Sequence, residues 1–438
     1  MNNNTMGSII IHRGTHTIGG SCIEVSCDSH RIIFDFGLPL MGRDGAALDE
    51  KALNAPSIEN GILPNVTGLY KHQTPAVDAV ILSHPHIDHY GLAEYIHPDI
   101  PVYLSRGVQT LIDVGNIFYP KATNLQNVKN FNHYKPFFIG PFKITSLLAD
   151  HSGFDASSFL VEAEGKKIFY TGDLRGHGRK GKLLEQLINQ PPKDIDCMLM
   201  EGTTLGGKHK GSKTEEEVEE ELFKIFSKQT DMSFVYASGS NVDRLVSLYK
   251  ATLRSKKIFV LDIYTFYLLE QLKKLGAILP PFKDDNIKIY FLKSHADAIG
   301  KKVSPELLYS YVPRRIKIDE IIKDRQHIVL KLPINRSLFS IARRAESEKS
   351  LTQAKFIYSM WSGYLEKNKS IEKLCNEFHL DFVKIHTSGH AYLEDLQRLA
   401  NAINPKTLIP IHTLSGDDFH RHFENVVRLD DGIPFEIK

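Results

Sequence analysis

Cysteine and tryptophan are scarce in this chain, four of the first and one of the second among 438 residues. Cys22, Cys27, Cys197 and Cys375 are scattered, which argues against a disulfide framework and fits a reducing compartment, with Cys22 and Cys27 expected as buried thiols. No apolar run approaches the roughly 18 residues of a membrane span, and the start Met1-Asn2-Asn3-Asn4-Thr5 lacks the basic and then apolar stretches of an export signal. A soluble cytoplasmic protein without a membrane partner is expected. The net charge of +2 is too small to announce nucleic acid, so any such argument must come from local patches. Internal repeats and low-complexity tracts are also missing. Histidine, by contrast, is plentiful at 20 residues, and a hydrophobic fraction of 42% suffices for the cores of several domains.

The first half reads as short strands joined by turns: Ile9 to His12, Cys22 to Ser26 and Arg31 to Phe36, then Ala79 to Leu82, Val102 to Leu104, Phe142 to Leu147, Ser158 to Ala163, Lys167 to Thr171 and Cys197 to Glu201. Near residue 205 the texture changes. Thr214 with Glu217 forms a capping box, and Val218, Leu222, Ile225 and Phe226 follow at helical spacing, the glutamates being expected in solvent. Helices and strands then alternate to about residue 380, with strands expected at Phe234 to Ala237, Lys257 to Leu261, Ile287 to Leu292, His327 to Leu330 and Lys355 to Met360. The tail reads as strand, turn, helix and strand, ending at Thr407 to His412.

The run Ser83-His84-Pro85-His86-Ile87-Asp88-His89-Tyr90-Gly91 directly follows the apolar Ala79-Val80-Ile81-Leu82. Imidazole nitrogens and carboxylate oxygens are the donors zinc takes, and a tight loop at a strand end can aim them at adjacent ions. His151, Asp173 and His412 each follow a further apolar strand. His16, His133 and His177 have no such context and are expected to be structural.

The order of these motifs resembles the metallo-β-lactamase superfamily. Leu199-Met200-Glu201-Gly202-Thr203-Thr204, the segment His386-Thr387-Ser388-Gly389-His390-Ala391 and the long insertion between them resemble its β-CASP nuclease branch, in particular ribonuclease J. The resemblance implies an α/β fold, an αββα sandwich with an inserted α/β cap: the first part of the sandwich at 1–205, the β-CASP insertion at 206–380 and the second part at 381–438. It implies two zinc ions, with manganese a competitor. His84, His86 and His151 would hold one, Asp88, His89 and His412 the other, with Asp173 bridging. A hydroxide held between the ions, beside Asp88 and Asp173, would attack a phosphodiester. His390 would be the general acid for the leaving 3′ oxygen, oriented by Glu201.

His386 and Ser388 are expected to donate to phosphate oxygens. So are Ser238, Ser240 and Asn241, which precede a helix, with Arg244 one turn on; a plain helix cap by Ser240 is the alternative reading of that segment. Arg175, Arg179, Lys180, Lys182, Lys208, Lys210 and Lys213 could form a local electrostatic footprint, and Trp361 is expected in the core rather than stacked on a base. Single-stranded RNA is the implied partner, DNA less so, since DNA-directed members commonly carry valine where this chain has His412. A homo-oligomer is possible in such a family. A DNA nuclease, a small-ester or thioester hydrolase and a non-catalytic RNA-binding subunit are the alternatives.

Overall fold

The computed structural model describes residues 7–42, 48–120, 123–207, 213–281 and 286–437. Two compact units emerge, one of residues 1–112, 123–211 and 389–438, the other of residues 113–122 and 212–388.

In the first unit, β1 (Ser8–Arg13), β2 (Cys22–Cys27), β3 (His30–Phe34), β4 (Ala79–Ile81), β5 (Val102–Ser105) and β6 (Val128–Phe131) lie side by side in chain order. β7 (Pro136–Ile139), β8 (Phe142–Leu148), β9 (Ser157–Ala163), β10 (Lys166–Tyr170) and β11 (Cys197–Glu201) make a second sheet. Ile9, Ile11, Val25 and Phe34 of the first sheet and Phe142, Phe159, Val161 and Leu199 of the second share one buried core, so the sheets pack face to face. Each such side chain removed from water contributes about 1.5–3 kcal/mol. The outer face of the first sheet is covered by a second core that includes Leu92, Val108 and Ile112. That of the second is covered by the helices Lys182–Asn189 and Leu393–Ile403 through Leu184, Leu396, Leu399 and Ile403. The result is a helix, sheet, sheet, helix sandwich.

The second unit holds a seven-stranded sheet whose pairings are all parallel: β12 (Ser233–Tyr236), β13 (Ile258–Asp262), β14 (Ile287–Tyr290), β15 (Arg315–Ile316), β16 (Ile328–Lys331), β17 (Lys355–Tyr358) and β18 (Asp381–Lys384). Its spatial order is β15-β14-β13-β16-β12-β17-β18. Helix Glu215–Lys228 starts with the expected capping box, Thr214 and Glu217 each accepting from the other's backbone N–H. The chain then returns to the first unit with β19 (Thr407–Ile411), beside β11, and β20 (Pro434–Glu436), beside β1.

Two differences from the sequence reading concern this framework. The first strand of the tail, expected in the second part of the sandwich, is β18, which pairs with β17, so the sheet of the second unit extends past residue 380 and the first unit resumes at Gly389. Strands β6, β7 and β20 have no counterpart in the sequence reading, because each is only three or four residues long and two of them open with proline.

The parallel registers place the chemistry. β10, β11 and β19 run in the same direction, with Tyr170 beside Leu199 and Glu201 beside Ile411, so their carboxyl ends deliver Asp173, Glu201 and His412 to one edge. β3 and β4 do the same in the first sheet, Phe34 beside Ile81, with Asp35 and Ser83 at the ends.

Candidate metal and catalytic centre

His86, in extended backbone, occupies the N-cap position of the short helix Ile87–Tyr90, which carries Asp88 and His89, and His84 lies two residues before it. The helix is pinned from below. Gly20 and Ser21 N–H groups donate to the Asp88 carbonyl at 3.0 and 3.1 Å. Gly37 passes so close that a Cβ there would stand 1.6 Å from that same oxygen, which restricts the position to glycine.

His84, His89 and His151 are fully buried, and Asp88, Asp173 and His412 nearly so. The Nδ1 of His86 lies 3.2 Å from His84 Nε2 and 3.0 Å from His151 Nε2. A tetrahedral ion with nitrogens at about 2.0–2.1 Å has ligand–ligand edges of about 3.3–3.4 Å, so these spacings are those of three ligands of one ion. Asp88, His89 and His412 form a second group, with His412 Nε2 at 3.3 Å and His89 Nε2 at 3.8 Å from Asp88 Oδ2. Asp173 Oδ2 stands 3.5 Å from His84 Nε2 and 3.1 Å from His89 Nε2, within reach of both groups.

Protonation is uneven across the donors. Burial first, then the repulsion of neighbouring imidazolium, holds His84 and His151 well below the usual histidine range, and burial holds His86 at about 4 against the pull of Asp88 and Asp173, leaving the neutral imidazoles that metals bind. Burial acts on His89 as well, but Asp173, Asp35 and Asp88 outweigh it and push that ring well above the range. Burial works against the Asp88 carboxylate, yet His89 and His412 beside it keep it ionised, down to about 2. Neither oxygen of buried Asp173 meets a donor in hydrogen-bond geometry among the described residues. Burial opposes its charge, but the imidazoles of His412, His89 and His390 hold the carboxyl well below the usual range, so Asp173 stands as an ionised oxygen donor among nitrogen donors, a set that fits a divalent metal centre.

The next layer of residues orients these ligands, and most of it was not picked out from sequence. Asp35, fully buried at a left-handed φ of 60°, accepts from His89 Nδ1 at 2.8 Å, Ser83 N at 2.7 Å, Ser83 Oγ at 2.8 Å and the Tyr170 hydroxyl at 2.5 Å. Its partners turn His89 Nε2 toward Asp173, as a carboxylate behind a metal-binding imidazole does. The available signal was an aspartate ending an apolar strand, the same context as Asp173. Thr203 Oγ1 lies 2.8 Å from His412 Nδ1, and Gly19 N–H donates to His412 Nε2 at 2.9 Å, so both nitrogens of that ring have protein partners. The loop carrying His151 is latched by Asp155, which accepts from Gly107 N–H at 3.0 Å and faces His133 Nε2 at 3.0 Å, while His133 Nδ1 meets Ser146 Oγ at 2.9 Å.

Beside the donor set stands an acid–base pair. Glu201 Oε1 accepts from Leu174 N–H at 3.0 Å, and its Oε2 lies 3.0 Å from His390 Nδ1. Burial lowers the imidazole's affinity for a proton, but Glu201 and Asp173 outweigh it and push His390 up to about 9. The ring therefore carries a proton at neutral pH, and its side chain is 20% exposed.

The residues assigned to substrate in the second unit fare unequally. Ser238 and Ser240 hydroxyls lie 2.9 Å apart on the loop after β12. The cap of helix Val242–Arg254 is Asn241, accepting from Arg244 N–H at 3.0 Å, and not Ser240. Arg244 cannot take the role expected of it. It is fully buried, its Nε and Nη2 donate to Glu215 at 3.1 and 2.9 Å, and Nη1 donates to the Ser359 carbonyl and hydroxyl. Glu215, expected in solvent with its neighbours, is equally buried. His386 Nδ1 is 3.3 Å from Arg244 Nη1, and burial together with that guanidinium pushes it down to about 3. Ser388 is half-buried at the end of this unit.

Three further expectations change. Trp361 is 49% exposed rather than in the core. Arg175 is fully buried with its Nε 3.5 Å from Asp150 and so belongs to no open cationic surface, while Lys213 is exposed with its charge paired to Glu221 at 2.6 Å. Lys208 and Lys210 lie outside the described residues. Cys22 and Cys27 are buried free thiols, and no described helix is long and apolar enough to cross a membrane.

Comparison with known proteins agrees with this geometry. A beta-lactamase superfamily domain matches residues 60–220, and a Zn-dependent metallo-hydrolase RNA specificity domain matches residues 378–424. Ribonuclease J of Mycoplasma genitalium is 22% identical over 415 residues, covering 91% of this chain and 66% of that protein. Ribonuclease J of Sinorhizobium meliloti is 22% identical over 388 residues, covering 85% of this chain and 63% of that protein. The chain thus spans under two thirds of the length of these two relatives. A crystal structure of a protein of unknown function from Enterococcus faecalis V583 superposes with a TM-score of 0.78 at 22% identity, over 98% of this chain and 99% of that one.

Proposed function

We propose, for a chain that belongs to the metallo-β-lactamase superfamily in its β-CASP, ribonuclease J-like branch, the function of a zinc-dependent ribonuclease hydrolysing phosphodiester bonds of single-stranded RNA. The observation that carries it is the placement of His390, whose Nδ1 lies 3.0 Å from an oxygen of buried Glu201 beside the donor set. A small-ester hydrolase sharing the metal ligands has no use for that pair.

His84, His86 and His151 would hold one zinc, and Asp88, His89 and His412 the other, with Asp173 within reach of both groups; His412 would give up its bond from Gly19 N–H. Bound divalent ions supply Lewis-acid charge for the phosphate oxygens and lower the pKa of the attacking water. His390 donates its proton to the leaving 3′ oxygen, and Glu201 fixes the ring and favours its charged form. Asp35 and Thr203 keep His89 and His412 in their orientations. Ser238, Ser240, Asn241, His386 and Ser388 contact the phosphates of the strand, while Arg244 braces that loop through Glu215. Residues 1–205 and 381–438 constitute the catalytic sandwich and 206–380 the inserted β-CASP unit, apart from β18, which completes the inserted unit's sheet. A reducing cytoplasm suits the free thiols.

The test is digestion of 5′-labelled and 3′-labelled RNA carrying a 5′ monophosphate, triphosphate or hydroxyl, by the zinc- or manganese-loaded protein and by His390→Ala. Cleavage is expected, reduced about 10²–10⁴-fold in the variant. Mononucleotides released from the 5′ end identify an exonuclease and discrete internal fragments an endonuclease. Turnover of a thioester or of DNA with intact RNA, or RNA binding with no cleavage, would replace this reading.

A further inference from the structure

In the second unit, three aromatic side chains near one another keep much of their surface in solvent. Trp361, Tyr364 and Phe382 are 49%, 42% and 40% exposed, although such rings normally bury most of their surface. They are held in place nonetheless. A Cβ on Gly363 would come within 2.2 Å of the six-membered ring of Trp361, so the glycine lets the indole lie down on the backbone. Tyr364 meets it edge-on, with centroids 5.4 Å apart at 88°, and the Tyr358 hydroxyl donates to the Trp361 carbonyl at 2.7 Å. Phe382 stacks on Phe356 and Tyr358 at 6.0 and 6.2 Å. Lys384 Nζ donates to Ser362 Oγ, next to Trp361.

The sheet register gives this corner its neighbours. Tyr358 pairs with Tyr236 on one side and Lys384 on the other, so the loops that follow β12, β17 and β18 emerge side by side, about 4.8 Å apart per strand. The first loop carries Ser238 and Ser240, the second Trp361 and the third His386. Aromatic faces thus alternate with hydroxyl, ammonium and imidazole groups. The rings expose roughly 300 Å² in all, well below the roughly 800 Å² per partner of a stable protein interface, so a second copy of the chain is a poor fit. One nucleotide, with a π face and an anionic phosphate, fits.

We propose that Trp361, seated on Gly363 and buttressed by Tyr364, is a stacking platform for a base of single-stranded RNA, with Lys384 beside it for phosphate. The assignment rests on the ribonuclease reading. It does not require a particular sequence, because every base has a face to stack.

Trp361 is the only tryptophan, so its emission reports on the platform alone. Metal-loaded full-length His390→Ala is titrated with 5′-phosphorylated oligoadenylate and with an abasic ribose-phosphate oligomer of equal length. Saturable quenching by oligoadenylate and none by the abasic strand is expected. Trp361→Ala weakens oligoadenylate binding about 10-fold, measured by anisotropy of labelled strand, Gly363→Ala does likewise by displacing the ring, and Trp361→Phe retains most of the affinity. RNA that is bound, and cut by the wild type, with unchanged emission and unchanged affinity in Trp361→Ala overturns the platform and leaves the ribonuclease standing. Absence of both binding and cleavage overturns both. An emission change that follows protein concentration without RNA assigns the rings to self-association and also overturns the platform.

Discussion

Glu201 in the first unit and Glu215 in the second are both fully buried carboxylates facing a basic side chain, yet they do different work. Glu201 gives one oxygen to Leu174 N–H and the other to His390, whose ring retains contact with solvent. Glu215 takes two bonds from Arg244, whose remaining donors go to Ser359 and whose side chain is sealed. The first arrangement leaves a proton available to something outside the protein. The second spends every polar atom internally. Burial with a charged partner therefore separates a candidate proton donor from a brace only when the rest of the hydrogen bonds are followed.

The comparison can be tested from its strongest consequence downward. Asp173→Ala removes the carboxylate within reach of both ligand groups, and RNA cleavage is expected to fall by about 10⁴-fold or more, with metal content dropping below that of the wild type by elemental analysis. An Asp173→Ala chain that keeps full metal and activity would separate the donor set from the chemistry. Arg244→Ala leaves Glu215 buried and unpaired, and a loss of about 3–5 kcal/mol in urea unfolding is expected. If instead stability holds and only RNA affinity falls, Arg244 is a phosphate ligand after all.

Glu24 gives the pH-dependent control, because it is a buried pair remote from any proposed chemistry. Burial raises its pKa, but His12 at 3.0 Å and the Arg31 fork at 2.8 and 2.7 Å override this and lower it from the ordinary carboxylate range to about 2. A depressed carboxylate stabilises the fold above its unfolded pKa and loses that contribution as pH falls through the folded value. The stability advantage of wild type over Glu24→Gln should therefore be constant above about pH 5, near 3 kcal/mol, and vanish toward pH 2. A difference that stays flat across that window would show that the pair carries no linked proton. Smallest of all, Asp155→Asn loosens the latch on the His151 loop, and zinc affinity in a competition titration is expected to weaken about 10-fold with little change in melting temperature.

Much of the centre was legible from sequence because its ligands sit where apolar strands end, and a parallel sheet brings strand ends to one edge whatever lies between them. His84, Asp173 and His412 follow that rule, His151 reaches the same edge because β8 and β10 both run antiparallel to β9, and Asp35 could have been found by applying the rule once more. Arg244 and Glu215 were misread for a reason no local pattern carries. A glutamate in the first turn of a helix and an arginine one turn into another look solvated until the helices pack, and their partnership spans 29 residues. Trp361 was misplaced by the general tendency of aromatics to be buried, which Gly363 overrides. The sheet of the second unit extends past residue 380 because β18 is bound by hydrogen bonds to β17, information that resides in pairing and not in composition.

Whether the buried imidazoles and carboxylates of the first unit hold two zinc ions, as proposed, can be read by anomalous diffraction from crystals of the zinc-loaded protein, collected on both sides of the zinc absorption edge. One peak is expected among His84 Nε2, His86 Nδ1 and His151 Nε2, a second among Asp88, His89 and His412, and Asp173 within reach of both. A single peak, or zinc bound elsewhere with Asp173 left bare, would contradict the proposal.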